Sequence, residues 1–174
     1  MKIRKSLRMP IGFLTGILFI WRAKPSPASF IIGALFIFFG ELIRFVSSGT
    51  LKKFEGVTRN GIYAYTRNPL YSGSFFLGIG ACIISRDLLF SVVLFVFFIL
   101  LYNRVMLREE KYLVGRYGED YKRYLKEVPR IFPRKLNLKY IFHETSPALA
   151  IKNKEGKTLL GIALVLVIMI VKMI

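Results

Sequence analysis

The sequence predicts an all-α protein: a polytopic bundle of about five transmembrane helices with a cytoplasmic helical cap. Three observations carry this. The 174-residue chain is 54% hydrophobic, more apolar surface than a soluble domain of that length can bury. Its apolar residues gather into five runs, at 7–21, 27–46, 69–85, 88–102 and 158–174, each near the length of a bilayer span. The formal net charge of +17 falls mostly between the runs, which is the pattern of the positive-inside rule.

The first run follows Lys2, Arg4, Lys5 and Arg8 and ends at Trp21, Arg22 and Lys24, with no small-residue cleavage site. It reads as a retained span rather than a signal peptide. The connections at residues 22–27 and 85–87 are short, so spans one and two form one antiparallel hairpin and spans three and four another. Stretches 47–68 and 103–157 then lie on the side of the N-terminus with most of the Lys and Arg, and of these residue types only Arg22, Lys24, Arg86 and Lys172 lie on the other. The charge bias places the N-terminus and both long stretches in the cytoplasm. It also favours contact with anionic lipid rather than nucleic acid, because the basic residues form no aromatic-interleaved groove pattern. Some runs have only about 15–17 residues, short enough to need snorkelling ends or a locally thinned bilayer.

Residues 1–133 form the expected core, 134–157 a polar linker and 158–174 a C-terminal span. Within 103–133 the periodicity predicts a helix over 107–128 with Tyr117, Tyr121 and Tyr124 in one stripe. Gly118 is the expected break, with Glu119 and Asp120 opening a second short helix. One cysteine, Cys82, and one histidine, His143, argue against an internal disulfide and against metal clusters built on those ligands.

Two constellations stand out. The first is Gly61-Ile-Tyr63-Ala-Tyr65-Thr-Arg67-Asn68-Pro69-Leu70-Tyr71-Ser-Gly73, where loop meets span three. Asn68 can cap the helix and Pro69 fits its first turn; a well-capped helix with interfacial tyrosines is the plain alternative. The second is Arg108-Glu109-Glu110, an acidic pair in a chain with only ten acidic residues. Adjacent carboxylates beside aromatic faces would seat a sulfonium or ammonium cation; a solvated helix face with Glu–Lys pairs is the alternative. Glu41 and Arg44, three apart inside span two, are either a functional pair or a structural one. Gly78 and Gly80 permit either close cofactor approach or close helix packing.

Residues 61–73 resemble the G-x-Y-x-x-x-R-[HN]-P-x-Y-x-G signature of the isoprenylcysteine carboxyl methyltransferase and phospholipid methyltransferase superfamily. Residues 109–133, with Glu109, Glu110, Leu113, Tyr117, Gly118, Tyr121, Tyr124, Val128 and Pro129, resemble its C-terminal signature. The resemblance covers roughly 40–133. It implies an integral membrane enzyme that uses S-adenosylmethionine on a lipid or lipophilic substrate entering from the bilayer. Carried over, the cofactor contacts are Glu55, Gly56, Val57, Thr58, Tyr63, Arg67, Asn68, Pro69, Leu70, Tyr71 and Glu109. Such chemistry needs positioning and desolvation more than a metal or a triad.

Two positions depart from the prenylcysteine branch. Asn68 stands where that branch has His, and Val105 stands where it has an Arg facing the substrate carboxylate. Arg104 and Arg108 flank Val105 on the helix, and with Glu110 they are the expected substrate-side residues. The departures open the substrate class to phospholipid amines as well as prenylcysteine carboxylates. A related sterol-reductase architecture using NADPH, and a non-catalytic protein that binds anionic lipid, are the alternatives.

Overall fold

In a computed structural model, residues 8–52 and 56–174 are described. Lys2, Arg4, Lys5 and Glu55, all singled out above, lie outside them. Among the described residues the regular structure is entirely helical: α1 (Arg8–Arg22), α2 (Pro27–Thr50), a 3-10 turn (Gly61–Ala64), α3 (Pro69–Ser85), α4 (Leu88–Glu127), α5 (Leu138–His143), α6 (Pro147–Lys152) and α7 (Glu155–Val171). The helices α2 and α4 are long and apolar enough to cross a bilayer. Many of their large apolar side chains face outward, among them Ile31, Leu35, Phe39, Val93 and Leu100.

Local chemistry sets the helix starts. Ser26 and Ser29 form a reciprocal capping box at the head of α2, with Pro27 in its first turn. Asp87 caps α4 by accepting from the Phe90 amide at 2.7 Å. That bond, aided by Arg22, holds the Asp87 carboxyl below the usual carboxylate range. At α3 the expected cap is only half present. Pro69 occupies the first turn, but the Asn68 side chain makes no capping bond, because it is turned toward Glu110.

The closest packing in the bundle is α2 against α3. A Cβ added at Gly80 would meet the Gly33 carbonyl oxygen at 2.5 Å, and one at Gly40 would meet the Gly73 carbonyl oxygen at 2.7 Å. Glycines seven apart on each helix thus let two backbones touch. Gly80 is a packing residue, whereas a Cβ at Gly78 would meet nothing within 4 Å.

The partners of α1 lie largely outside its own hairpin. Although a short turn joins α1 to α2, α1 packs on α3, α4 and α7. Phe19 meets Phe90 with ring centroids 5.6 Å apart and shares a core with Ile84 and Met169. Polar bonds fix that end. Arg22 Nε donates to Asp87 at 2.9 Å, the Lys24 amide to the Ser85 carbonyl at 3.0 Å, and Lys172 Nζ to the Ile20 and Ala23 carbonyls at 2.7 Å each. Arg22, Lys24 and Lys172, assigned by charge to one side, therefore do meet at one end of the bundle.

Two further differences concern continuity. The helix that carries span four does not stop near residue 102: α4 runs on without a break to Tyr117. Gly118 (φ 56°, ψ −131°) then turns the chain out of the helical path, as the sequence predicts. Stretch 134–157, expected as a polar linker, carries α5 and α6, capped by Asn137 and Ser146. It packs on the end of α2. The Ser146 amide bonds the Gly49 carbonyl at 2.9 Å, and Asn153 Nδ2 bonds the Ser48 and Leu51 carbonyls. These carbonyls are orphaned by the end of α2, and the polar residues of the stretch satisfy them.

The seam makes a paired prediction. Gly80→Val should destabilise the protein by about 1–3 kcal/mol through forced separation of α2 and α3. Gly78→Val should leave thermal unfolding in detergent nearly unchanged. Equal melting temperatures for the two variants would contradict the packing account.

Candidate active site

The site is framed where the 61–73 segment meets the end of α4. Beyond α4, the chain doubles back and pairs with that segment. The Arg67 amide donates to the Pro129 carbonyl at 2.9 Å and the Asn68 amide to the Arg130 carbonyl at 3.1 Å. Thr66 Oγ1 and Ser72 Oγ both donate to the Ile131 carbonyl. Glu110, only 7% exposed, locks this junction. It accepts from Arg130 Nη2 at 2.6 Å and Nε at 3.1 Å, with Arg67 Nη1 at 3.6 Å. Beyond Gly118, Tyr124 donates to the Tyr63 carbonyl at 2.7 Å, and Arg59 pairs with Asp120 at 2.7 Å.

These contacts frame a half-open, two-lobed cavity. The wide lobe, about 540 Å³, is lined by Arg44, Ser48, Tyr63, residues 67–71, Ser74, Tyr102, Glu109, Tyr112, Tyr121, Asn153 and Glu155. The narrow lobe, about 210 Å³, adds Gly56, Val57, Thr58, Arg116, Tyr117 and Tyr124. Leu51, Tyr63, Arg67, Tyr112, Leu113 and Tyr121 line both lobes. Tyr71 donates its phenol to the Glu109 carboxylate, 2.9 Å from each oxygen. Burial pushes the Tyr121 phenol up to about 12, and the Tyr63 and Tyr124 phenols also rise, chiefly through desolvation. All three stay neutral, so they can act as hydrogen-bond donors and aromatic faces at physiological pH.

An aromatic file leads away from the wide lobe. Tyr71 meets Tyr102 edge-on at 5.1 Å, Tyr102 stacks on Phe98 at 4.1 Å, and Phe98 meets Phe75 at 5.6 Å. Phe75 and Phe98 also line an apolar groove of about 390 Å³ between α3 and α4, with Gly78, Cys82 and Phe95. A polar cavity with two acids and two arginines on its wall thus adjoins an apolar one. That arrangement suits a charged ligand on one side and a lipophilic ligand on the other.

Most of the residues expected at the site converge. Tyr63, Arg67, Asn68, Pro69, Leu70, Tyr71 and Glu109 line the wide lobe; Gly56, Val57 and Thr58 line the narrow one. Three residues lie elsewhere. Arg104 and Arg108 are exposed on α4 and line neither lobe, because their directions around the helix differ from that of Glu109. Glu110 faces Arg130 and Arg67, not the cavity. Among the described residues no group of three or more His, Cys, Asp or Glu is placed to hold a metal. Sequence reasoning missed Asn153 and Glu155, which reach the wall from the far C-terminal part of the chain. The one signal was an acid at the head of an apolar run.

The junction can be tested apart from any ligand. Glu110→Ala should cost about 1.5–3 kcal/mol by removing charged hydrogen bonds, kept below the fully buried case because the Arg130 side chain is 34% exposed. Hydrogen exchange of the Arg67 and Asn68 amides should accelerate with it. Gly118→Ala should open the Tyr124–Tyr63 contact by backbone strain alone, since its Cβ would meet no neighbour within 4 Å. Unchanged exchange in both variants would rule out the clamp.

Comparison with known proteins bears on the same region. The chain is 34% identical over 98 residues to a protein from Schizosaccharomyces pombe (strain 972 / ATCC 24843) named Protein-S-isoprenylcysteine O-methyltransferase. The match takes in 54% of this chain and 40% of that relative, so the chain spans well under half of its length. No solved structure matches the chain. The model of the phospholipid methyltransferase family matches residues 28–120, from the second residue of α2 through Glu109 and Glu110 to the turn after Gly118, and on that match the chain belongs to the phospholipid methyltransferase family.

Proposed function

We propose that this chain is an integral membrane methyltransferase that moves a methyl group from S-adenosylmethionine to a lipid or lipophilic acceptor. The observation that carries the reading is the convergence of Tyr63, residues 67–71 and Glu109 on one polar cavity beside an apolar groove. Family membership and the relative from Schizosaccharomyces pombe support it.

The donor set fits the cofactor. Its sulfonium is a cation, and the wide lobe offers the Glu109 carboxylate, oriented by Tyr71, among the rings of Tyr63, Tyr102 and Tyr112. Its carboxylate and adenosine hydroxyls need cations and neutral donors, which Arg67, Tyr121 and the Gly56–Thr58 edge supply. When bound, the cofactor supplies an already activated methyl carbon. The protein then has to hold donor and acceptor in line and exclude water. The buried Tyr63 and Tyr121 serve exclusion, and the Glu110 clamp serves orientation by fixing residues 66–68. The aromatic file from Phe75 to Tyr71 provides an apolar edge along which a lipid tail can lie.

In this reading α1, α2, α3, α4 and α7 span the bilayer, with the cavity on the basic cytoplasmic side. Stretch 134–157 lies against anionic lipid, presenting Leu136, Leu138 and Phe142, all exposed, among Arg134, Lys135 and Lys139. Both a prenylcysteine carboxylate and a phospholipid amine remain within the substrate class.

Titration calorimetry with S-adenosylhomocysteine and S-adenosylmethionine in detergent is the test. Both should bind wild-type protein, and Glu109→Ala should weaken S-adenosylmethionine about 10–100-fold, the worth of a desolvated cation contact. Tyr71→Phe should have a smaller effect in the same direction. Absence of binding, or a melting temperature raised by NADPH instead, would overturn the assignment.

A further inference from the structure

Stretch 134–157, outside the 28–120 family match, has two unlike sides. The side toward the site is tightly packed. Ile141 is 4% exposed and shares a core with Val46, Ile62 and Tyr63. Tyr140 meets the Tyr65 ring edge-on at 6.4 Å, and Glu144 accepts from Asn60 Nδ2. A Cβ at Gly49 would meet the Ser146 carbonyl oxygen at 2.9 Å, and one at Gly61 would meet Glu144 Cβ at 3.0 Å. The stretch therefore backs Tyr63, which lines both lobes, and holds Asn60 close to the Thr58 edge of the narrow lobe.

The side away from the site has the opposite character. Leu138 and Phe142, one helical turn apart on α5, are both exposed, as are Leu136 and Ile151. Arg134, Lys135, Lys139, Lys152 and Lys154 stand among them, all exposed. The one acid between residues 134 and 154, Glu144, is turned inward to Asn60. Cations interleaved with exposed apolar side chains suit an anionic bilayer surface: the charges attract headgroups, and the apolar tips enter the acyl boundary. An acidic soluble protein would match the charges and leave the apolar tips in water. The stretch is also tied between α4 and α7, two spans, which keeps it at the membrane surface.

We propose that stretch 134–157 is a lipid-responsive strap: anionic headgroups bind its outer side, hold its inner side against Tyr63 and Asn60, and so tighten cofactor binding in the cavity. The cofactor half of this rests on the methyltransferase reading; the lipid half does not. The strap is the kind of element on which a lipid surface can act. Its helices α5 and α6 have 6 residues each, too few to be stable alone, and such pieces open locally at low cost. Only the docked strap completes the wall, so cofactor affinity follows the docked population. A surface that binds the docked strap raises that population, and lipid and cofactor then strengthen one another's binding.

The test is S-adenosylhomocysteine binding by full-length protein in vesicles of phosphatidylcholine, with and without phosphatidylglycerol. Phosphatidylglycerol should tighten binding by about 5-fold or more, and high salt should erase the gain. The combined variant Arg134→Gln, Lys135→Gln, Lys139→Gln should lose the gain and bind as wild type does in phosphatidylcholine alone. Soluble glycerol phosphate should give no gain. Hydrogen exchange of amides 141–150 reads docking with no cofactor present: phosphatidylglycerol should slow it in wild-type protein and not in the triple variant. Equal affinity in the two vesicles, or a gain kept by the triple variant or at high salt, would overturn the proposal. If wild-type protein binds S-adenosylhomocysteine in neither vesicle, the methyltransferase reading falls. Slowed exchange would then still support the docking surface, and unchanged exchange would overturn that as well.

Discussion

Backbone meets backbone along the α2–α3 seam, and the position of every polar group at the site depends on it. Gly33 faces Gly80 and Gly40 faces Gly73, so no side chain separates the two helices at either level. With α3 drawn this close, Arg44 crosses Gly73 to reach Ser74. The head of α3, carrying residues 67–71, is set beside the end of α2. A larger residue at any of the four glycines would move the floor of the cavity relative to its wall.

A second constraint works from the other side. The chain leaves α4 at Gly118, turns, and returns as the 129–131 segment that bonds residues 66–68. Glu110 holds the return in place through Arg130 and Arg67. The adjacent carboxylates of Glu109 and Glu110 therefore divide their work by helical direction. One side chain faces the cavity and Tyr71, and the other faces the returning segment. Neighbours in sequence on a helix point about 100° apart, so an acidic pair seldom serves one ligand.

Much of this arrangement was legible in the chain. Residues 61–73 are contiguous and their spacing carried the cavity floor, while Gly118 announced its own break because a positive φ favours glycine. The sequence puts Glu110 on the substrate side, whereas its partner Arg130 comes near only after the reversal at Gly118, which periodicity cannot follow. Arg104 and Arg108 were reasonable stand-ins for the missing Arg at Val105 by sequence distance, yet helical rotation leaves both exposed. Glu155 and Asn153 were illegible because their partners on α2 lie more than a hundred residues away. Likewise α1 gave no sign that it packs on α3, α4 and α7.

The last helix is fastened at both ends. At its head Glu155 holds Arg44 and Ser48; at its foot Lys172 covers the two carbonyls that α1 leaves open. Between them lies a strut of about 25 Å at 1.5 Å per residue. One face of its middle is apolar and outward-facing, with Leu160 and Leu164 exposed, so the identity of those side chains matters little. Its length matters a great deal. One residue added or removed would turn Lys172 by about 100° relative to Glu155 and shift it by about 1.5 Å, so both fastenings could not be kept. On the outward face of α7, composition is free to drift and register is not.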